Sequence, residues 1–430
     1  MAKAGSNVNG SLLAIIAEGF LSRLSFGIIG FALPLYARHL GFTLAEIGFL
    51  MSLNGVVAIA LKPAMGWLAD RIGLKESYVF ALAARSLVPL LLAFAGQPWQ
   101  VYAARVVGGT ADAMRDPTAS GLIAEHSAKK RVASAYAWYA TAKSSAGALG
   151  KALTGFILTL TASNYFWIFG MAFVASILPA LAIALFMPSS IPVSMPTPAR
   201  GEADGENKLD EAPKGHIKIV PTMMFGFLVS GTAHMLHGLF PVLAVEYAGL
   251  SEAETGLVYM VSTIVILCAG PAFGWLSDYV SRTLVLTVRS IGNTLSSAIY
   301  LFSPTWAGFL LGKAIDDAGK AAFHPAWGSL MAQMSAREPH KRARMMALMR
   351  VSEDAGTVVA PVIAGLLWSA WGAGALLGAR IGIAVLAELY TLCWFHLGRP
   401  SEPSKSSLPN ASLADGPALT RFARRRSGSS

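Results

Sequence analysis

Twelve apolar runs, each long enough to cross a bilayer as a helix, leave this chain few folds. They lie near 11–37, 45–68, 76–96, 98–125, 132–160, 164–187, 219–245, 253–277, 283–303, 305–334, 345–370 and 373–397. A hydrocarbon core about 30 Å thick needs about 20 helical residues. Gly, Pro and polar punctuation separates the runs, as at Gly41-Phe42-Thr43, Gly96-Gln97-Pro98 and Ser303-Pro304. Only 13% of the residues are charged, against about 25% in soluble domains, so the chain lacks the polar surface of a soluble fold. The 54% hydrophobic content excludes disorder of the whole chain. Two cysteines, Cys268 and Cys393, exclude a disulfide scaffold. Alternating ten-residue segments of the β-barrel kind are absent. The expected fold is therefore an all-α membrane protein of twelve transmembrane helices. The first ten residues are too short and too weakly basic for a signal peptide, so the first run is expected to be a retained anchor.

Basic residues between the runs set the expected orientation. With the N-terminus inside, the inner segments carry Arg71, Lys75, Lys129, Lys130, Arg131, Arg282, Arg337, Lys341, Arg342 and Arg344. Among the outer connections Arg38 stands almost alone. Both termini are expected in the cytoplasm of an inner or plasma membrane, or of an internal membrane derived from it. The tail residues Arg421, Arg424, Arg425 and Arg426 reinforce that topology and could meet anionic lipid.

One segment breaks the apolar rhythm. Residues 188–218 mix five prolines with charges of both signs and read as a cytoplasmic linker. The expected organisation is a six-helix half over 1–187, that linker, a second six-helix half over 219–397 and a disordered tail over 398–430. The halves repeat. A shift of 208 residues lays Pro63-Ala64-Met65-Gly66-Trp67-Leu68-Ala69-Asp70 on Pro271-Ala272-Phe273-Gly274-Trp275-Leu276-Ser277-Asp278. It also lays Ala45-Glu46-Ile47-Gly48 on Ala253-Glu254-Thr255-Gly256. Parallel repeats of this kind place a substrate site between the halves near the midplane.

The stretch Gly66-Trp67-Leu68-Ala69-Asp70-Arg71-Ile72-Gly73-Leu74-Lys75 resembles the loop signature between spans 2 and 3 of the major facilitator superfamily. The resemblance extends to the span count, the central linker and the degenerate second copy around Gly274 and Asp278. It implies a two-half transporter fold, with Gly66, Asp70, Arg71, Gly73, Lys75, Gly274 and Asp278 in a gating loop. Leu74 stands where the family usually has a basic residue, and the second copy has Tyr279 and Ser281. In span 5, Lys151 stands where the antiporter pattern has Pro, which leaves the direction of transport open.

Ionisable groups inside the bilayer cost roughly 2.5–3.5 kcal/mol each on insertion scales, so they mark the working part of the chain. Arg105, Asp112 and Asp116 fall within about 40° of one another on the span-4 helix, with Arg115 beside them. The 208-residue shift puts Lys313, Lys320 and His324 at the matching places of span 10, with Asp316 and Asp317 on or beside that face. Arg105 with Gly108 and Gly109 also resembles the superfamily's span-4 pattern, which implies proton coupling with Asp112 and Asp116 as titrating partners. Further cavity candidates are Glu18, Arg23, His234, His237, Arg350, Glu353 and Asp354, with Lys143 and Lys151 of span 5 and the aromatics Tyr136, Trp138 and Tyr139.

These residues point to secondary active transport of a small polar or charged solute, with protons and membrane lipids as the other partners. The basic residues suit an organic anion. The carboxylates and histidines suit a cation such as iron or its chelate, with His234 and His237 as weak metal candidates. Drug-type efflux and a non-transporting membrane sensor are the alternatives. No Gly-x4-Gly-Lys-Ser/Thr loop, Cys-x2-Cys or His-Glu-x2-His motif occurs in the sequence. No enzyme activity, cofactor or nucleic-acid partner is expected.

Overall fold

A computed structural model describes residues 2–126, 132–186, 219–279, 282–336, 342–391 and 393. The expected linker, the tail and the basic cluster Lys129–Arg131 lie outside the described residues, as do the side chains of Asp70, Asp278, His324, Tyr136 and Trp138. The fold is helical: α1 (Ala2–His39), α2 (Leu44–Ile72), α3 (Leu74–Ala93), α4 (Pro98–His126), α5 (Val132–Leu160), α6 (Tyr165–Phe186), α7 (Ile219–Met235), α8 (Glu252–Tyr279), α9 (Arg282–Phe302) and α10 (Trp306–Ala336). The stretch Arg342–Thr391 is divided at Gly372, whose φ of 85° and ψ of 174° no helix accommodates. Its parts are α11 (342–371) and α12 (373–391). Among the described residues six segments are apolar and long enough to cross a membrane, one of them Met345–Thr391, which Gly372 splits in two. A bent seventh candidate joins α7 to residues 240–247.

That bend corrects the expectation of a continuous span over 219–245. The helix stops at Met235 and resumes at Phe240–Val242, then winds as a wider π-turn over Leu243–Tyr247, bent by 41°. Pro241 supplies no backbone N–H and favours a helix start. Gly238 leaves room for the Met51 side chain of α2, which would collide with any Cβ there.

The 208-residue repeat is present in three dimensions. Thr43 and Glu46 cap α2 reciprocally: Glu46 N–H donates to Thr43 Oγ1 at 3.2 Å, and Thr43 N–H donates to Glu46 Oε2 at 2.7 Å. Ser251 and Glu254, 208 residues on, cap α8 the same way at 3.2 and 2.8 Å. Each box satisfies two donors that a helix start otherwise leaves unpaired.

The halves α1–α6 and α7–α12 meet through two related crossings. Gly48 of α2 lies against the Pro361 carbonyl and the Gly365 Cα of α11. Gly155 of α5 lies against the Glu252 carbonyl and Gly256 of α8. A side chain at either glycine would overlap facing backbone, so small residues let the helices approach. Near these crossings Arg38 donates to Glu246 at 2.6 Å. These two residues are themselves 208 apart, so the ion pair joins equivalent positions of the two halves. Ser163 donates to Glu252 at 2.9 Å.

All of these contacts lie at the end of the bundle away from the start of α1 and the end of α12. There the apolar core is one body: Leu33, Phe42, Leu50, Leu158, Leu239, Tyr259, Ala364 and Leu376 belong to a single buried cluster spanning both halves. Toward the opposite end the core divides. One cluster, including Ile15, Tyr78, Leu122 and Ile183, belongs to the first half. Another, including Phe225, Phe323, Trp327 and Met349, belongs to the second. Among the described residues the buried core is thus continuous across the halves at one end and divided between them at the other.

The crossings generate a prediction. Gly48→Leu and Gly155→Leu will each lower the melting temperature of the purified protein, because overpacking costs about 1–3 kcal/mol. Gly170→Leu, where a Cβ meets nothing within 4 Å, will leave it unchanged or raise it. Equal effects at all three sites would show that the crossings carry no special packing.

Candidate functional site: paired charges in two halves

The site begins with glycines on α4. A Cβ on Gly108 or Gly109 would run into Asn54 and Val57 of α2. Their absence draws α2 close enough for Asn54 Nδ2 to donate to Asp112 Oδ2 at 2.9 Å. The same approach lets Arg105 donate to the carbonyls of Leu50 at 3.2 Å and Met51 at 3.1 Å. Asp112 takes its ion pair from Arg85 of α3, not from the expected Arg105. Arg105 is spent on backbone carbonyls. Glu18 of α1, buried, accepts from Arg115 at 3.0 Å and from the Tyr78 hydroxyl. Asp116 lies 3.9 Å from Arg115, and its side chain is 54% exposed.

The second half builds a denser knot on α10. Asp316 meets Lys320 at 2.6 Å, Arg380 of α12 at 2.7 Å and Arg289 of α9 at 3.3 Å. Asp317 meets Lys320 at 3.0 Å and pairs with Lys313 and the Ser262 hydroxyl. Arg380 also donates to Asn293, Ser297 and the Thr232 carbonyl, at 2.9, 2.9 and 2.8 Å. The repeat carries over to these contacts. Asn54 and Ser262 occupy equivalent positions, and each holds an acid of the facing helix. Arg105 sits on the Leu50 and Met51 carbonyls, and its counterpart Lys313 lies 5.2 Å from the centre of the Tyr259 ring, the residue equivalent to Met51.

The remaining candidates are placed as follows. His234 Nδ1 is 2.8 Å from the Ser230 carbonyl oxygen, and the His234 and His237 rings are 5.5 Å apart. Among the described residues no three His, Cys, Asp or Glu side chains gather as metal ligands would. Glu353 accepts from Trp327 Nε1 at 3.1 Å. Arg350 is exposed and Asp354 half-buried on α11. In the loop between α2 and α3, Gly73 takes a φ of 109°, Arg71 stacks 3.9 Å over Trp67, and Lys75 opens α3. Gly66 and Gly274 lie within α2 and α8. Arg23, Lys143 and Lys151 lie along the contact of α1 with α5. Sequence reasoning misses Arg85, Arg289 and Arg380. Each is a lone cation in an apolar run, and that is the available signal.

The Major Facilitator Superfamily profile matches residues 17–312 and 222–427; the chain belongs to that family of multi-pass membrane transporters. Quinolone resistance protein NorA of Staphylococcus aureus (strain MRSA252) is 26% identical over 257 residues, 58% of this chain and 63% of NorA. MdtD of Yersinia pseudotuberculosis, assigned by name to multidrug resistance, is 31% identical over 178 residues, 41% of this chain. The match spans only 38% of MdtD's own length. Among solved structures, the nucleoside transporter NupG superposes with a TM-score of 0.68 at 15% identity, covering 91% of this chain and 99% of that one. A structure concerned with proton dependent oligopeptide transporters reaches 0.71 at 15%, covering 89% and 97%.

The unequal pairing of the acids predicts unequal costs. Asp316→Asn leaves the buried Arg289 and Arg380 and the half-buried Lys320 without their shared carboxylate, and breaking buried pairs costs about 3–5 kcal/mol. Asp112→Asn strands one cation and keeps a polar partner for Asn54. Melting curves of the two purified variants should show the larger drop for Asp316→Asn; the reverse order would contradict this assignment of charge.

Proposed function

We propose that the chain is a proton-coupled secondary transporter of a small polar or charged solute, working by alternating access. Both termini are cytoplasmic in this reading, from the basic residues that flank the inner ends of the spans. The end where the core divides then faces the cytoplasm, which supports reading this conformation as inward-facing.

The carrying observation is the Arg85–Asp112–Asn54 cluster at the junction of α2, α3 and α4. An acid held by a cation inside a membrane can take up a proton when that cation moves away. The acid lies on the helix pair whose other member, α2, closes the bundle against α11. A change at that closure therefore reaches Asp112 through Asn54. A transported proton also draws on the membrane potential, about 2.3 kcal/mol per charge per 100 mV. The relation to NorA and MdtD supports export of organic solutes as a second reading. The density of fixed charge on α4 and α10 favours a polar cargo over an apolar drug.

Proteoliposomes test this with a panel of organic acids, amines and neutral solutes. Wild-type protein should exchange a labelled solute by counterflow and accumulate it under an imposed pH gradient. Asp112→Asn should retain counterflow and slow gradient-driven accumulation by about a hundredfold or more, the usual range for a positioned proton-transfer group. Unaltered accumulation in both Asp112→Asn and Asp116→Asn would refute proton coupling through this cluster. Binding without counterflow for every solute would make the protein a sensor.

A further inference from the structure

Most cations of the interior have an oxygen partner. Arg85, Arg115, Arg289, Arg380, Lys313 and Lys320 pair with carboxylates, and Arg105 with carbonyls. Among the described residues three are held differently. Arg23 stacks on Phe26 at 4.6 Å, Lys143 on Tyr139 at 5.0 Å and Lys151 on Tyr259 at 5.0 Å. An aromatic face steadies a cation without neutralising it.

These three form one row. Lys143, Gly147 and Lys151 recur every four residues along one face of α5. The Arg23 side chain crosses from α1 over Gly147, with Cγ 3.3 Å from where a Cβ would stand. Lys151 crosses the other way, its Cε 3.6 Å from the same point on Gly30 of α1. Arg23 therefore lies between the two lysines. All three are half-buried. Their surroundings add positive field. Lys313, Lys320 and Arg23 all act on Lys151, opposed by Asp317. Arg115, Arg23 and Arg85 act on Lys143, opposed by Asp116.

A row of like charges in a low-dielectric setting is unfavourable unless an anion joins it. Eight residues of α5 separate the lysines by about 12 Å along the axis, longer than one carboxylate can bridge. From this we infer that the Lys143–Arg23–Lys151 row is the substrate subsite, and that it takes a small solute bearing two or more oxyanion groups, such as a di- or tricarboxylate or a phosphate ester. This rests on the transporter reading and names its substrate class. Lys151 sits beside the α5–α8 crossing, and its ring partner belongs to the opposite half. An anion that draws Lys151 off Tyr259 would therefore act directly on the closure between the halves.

The test is ligand-induced thermal stabilisation of the full-length protein in neutral detergent. The probes are citrate, tricarballylate and pyrophosphate against acetate, choline and glucose, at constant ionic strength. Wild type should be stabilised by one or more multivalent anions and not by acetate or the neutral and cationic probes. Lys151→Gln and Arg23→Gln should weaken that binding about tenfold or more, in line with loss of a charge-assisted hydrogen bond. Lys151→Arg should restore it, which separates charge from folding. No stabilisation by any multivalent anion, or equal stabilisation in Lys151→Gln and Arg23→Gln, overturns the inference. So does stabilisation by phosphatidylglycerol alone, which would make the row a lipid contact. None of these results bears on counterflow, which judges the transporter reading separately.

Discussion

Every charge buried in this bundle must be compensated, and that requirement organises the structure. Taking an ion out of water costs several kcal/mol even after relaxation, and a partner recovers it only with good geometry. Asp316 is held by cations from α9, α10 and α12, so it ties three helices together. Glu18 ties α1 to α3 and α4 through Tyr78 and Arg115. Apolar side chains give no such direction among helices, since lipid is as apolar as they are. The ion pairs supply orientation, and the glycines supply the closeness that lets the pairs form.

The two halves solve the same problem with opposite charges. At equivalent places α4 has Asp112 and α10 has Lys320, while α3 has Arg85 and α9 has Asn293. Reversing the sign at position 320 requires acids elsewhere, and Asp316 and Asp317 provide them one turn earlier. The frame is retained: the capping boxes, the crossing glycines Gly48 and Gly256 and the polar residue at 54 or 262 obey the 208-residue shift, while their partners Gly155 and Gly365 are offset from it by two residues. On the face that matches this knot, the first half has Asp112 held by one cation and an amide, with Glu18 and Arg115 paired separately. The second has two acids enclosed by four cations. A site meant to exchange a proton suits the lighter arrangement, because fewer partners must move to free the carboxylate. The heavier knot suits a fixed body against which the other half rocks.

Much of this is legible in the order of residues alone. Hydrophobic run length shows the spans, and the repeat shows the two-half plan. Helical periodicity puts Arg105, Asp112 and Asp116 on one face of α4, and it puts the charges of α10 on its counterpart. Periodicity names a face but not what stands opposite. Hence it matches Asp112 with Arg105 on its own helix, although an arginine on α3 reaches it instead. Arg380 escapes notice for the same reason: a single cation in a long apolar run shows no pattern, and its partners lie 64 to 148 residues away. The break after Met235 is obscured because Gly238 and Pro241 sit in an otherwise unbroken apolar run. Only the packing of Met51 shows why the helix yields there.

The closure between the halves is strong where it is apolar and weak where it is charged, and that contrast bears on how it could open. The Arg38–Glu246 pair is about one-third exposed on both sides, and exposed pairs are worth about 0–1 kcal/mol. It can define the register of the two halves without locking them. The glycine crossings hold through close backbone contact, which is lost over a short separation because dispersion falls steeply with distance. A closure of this kind behaves as a clasp with two states: seated within a few tenths of an ångström, or released. Rocking about the middle of the bundle would trade it for contact between the core clusters now divided at the opposite end. The shared frame of the repeat makes such an exchange geometrically natural. The charged helices α4 and α10, which contribute to neither crossing, can keep their own pairings while the ends alternate.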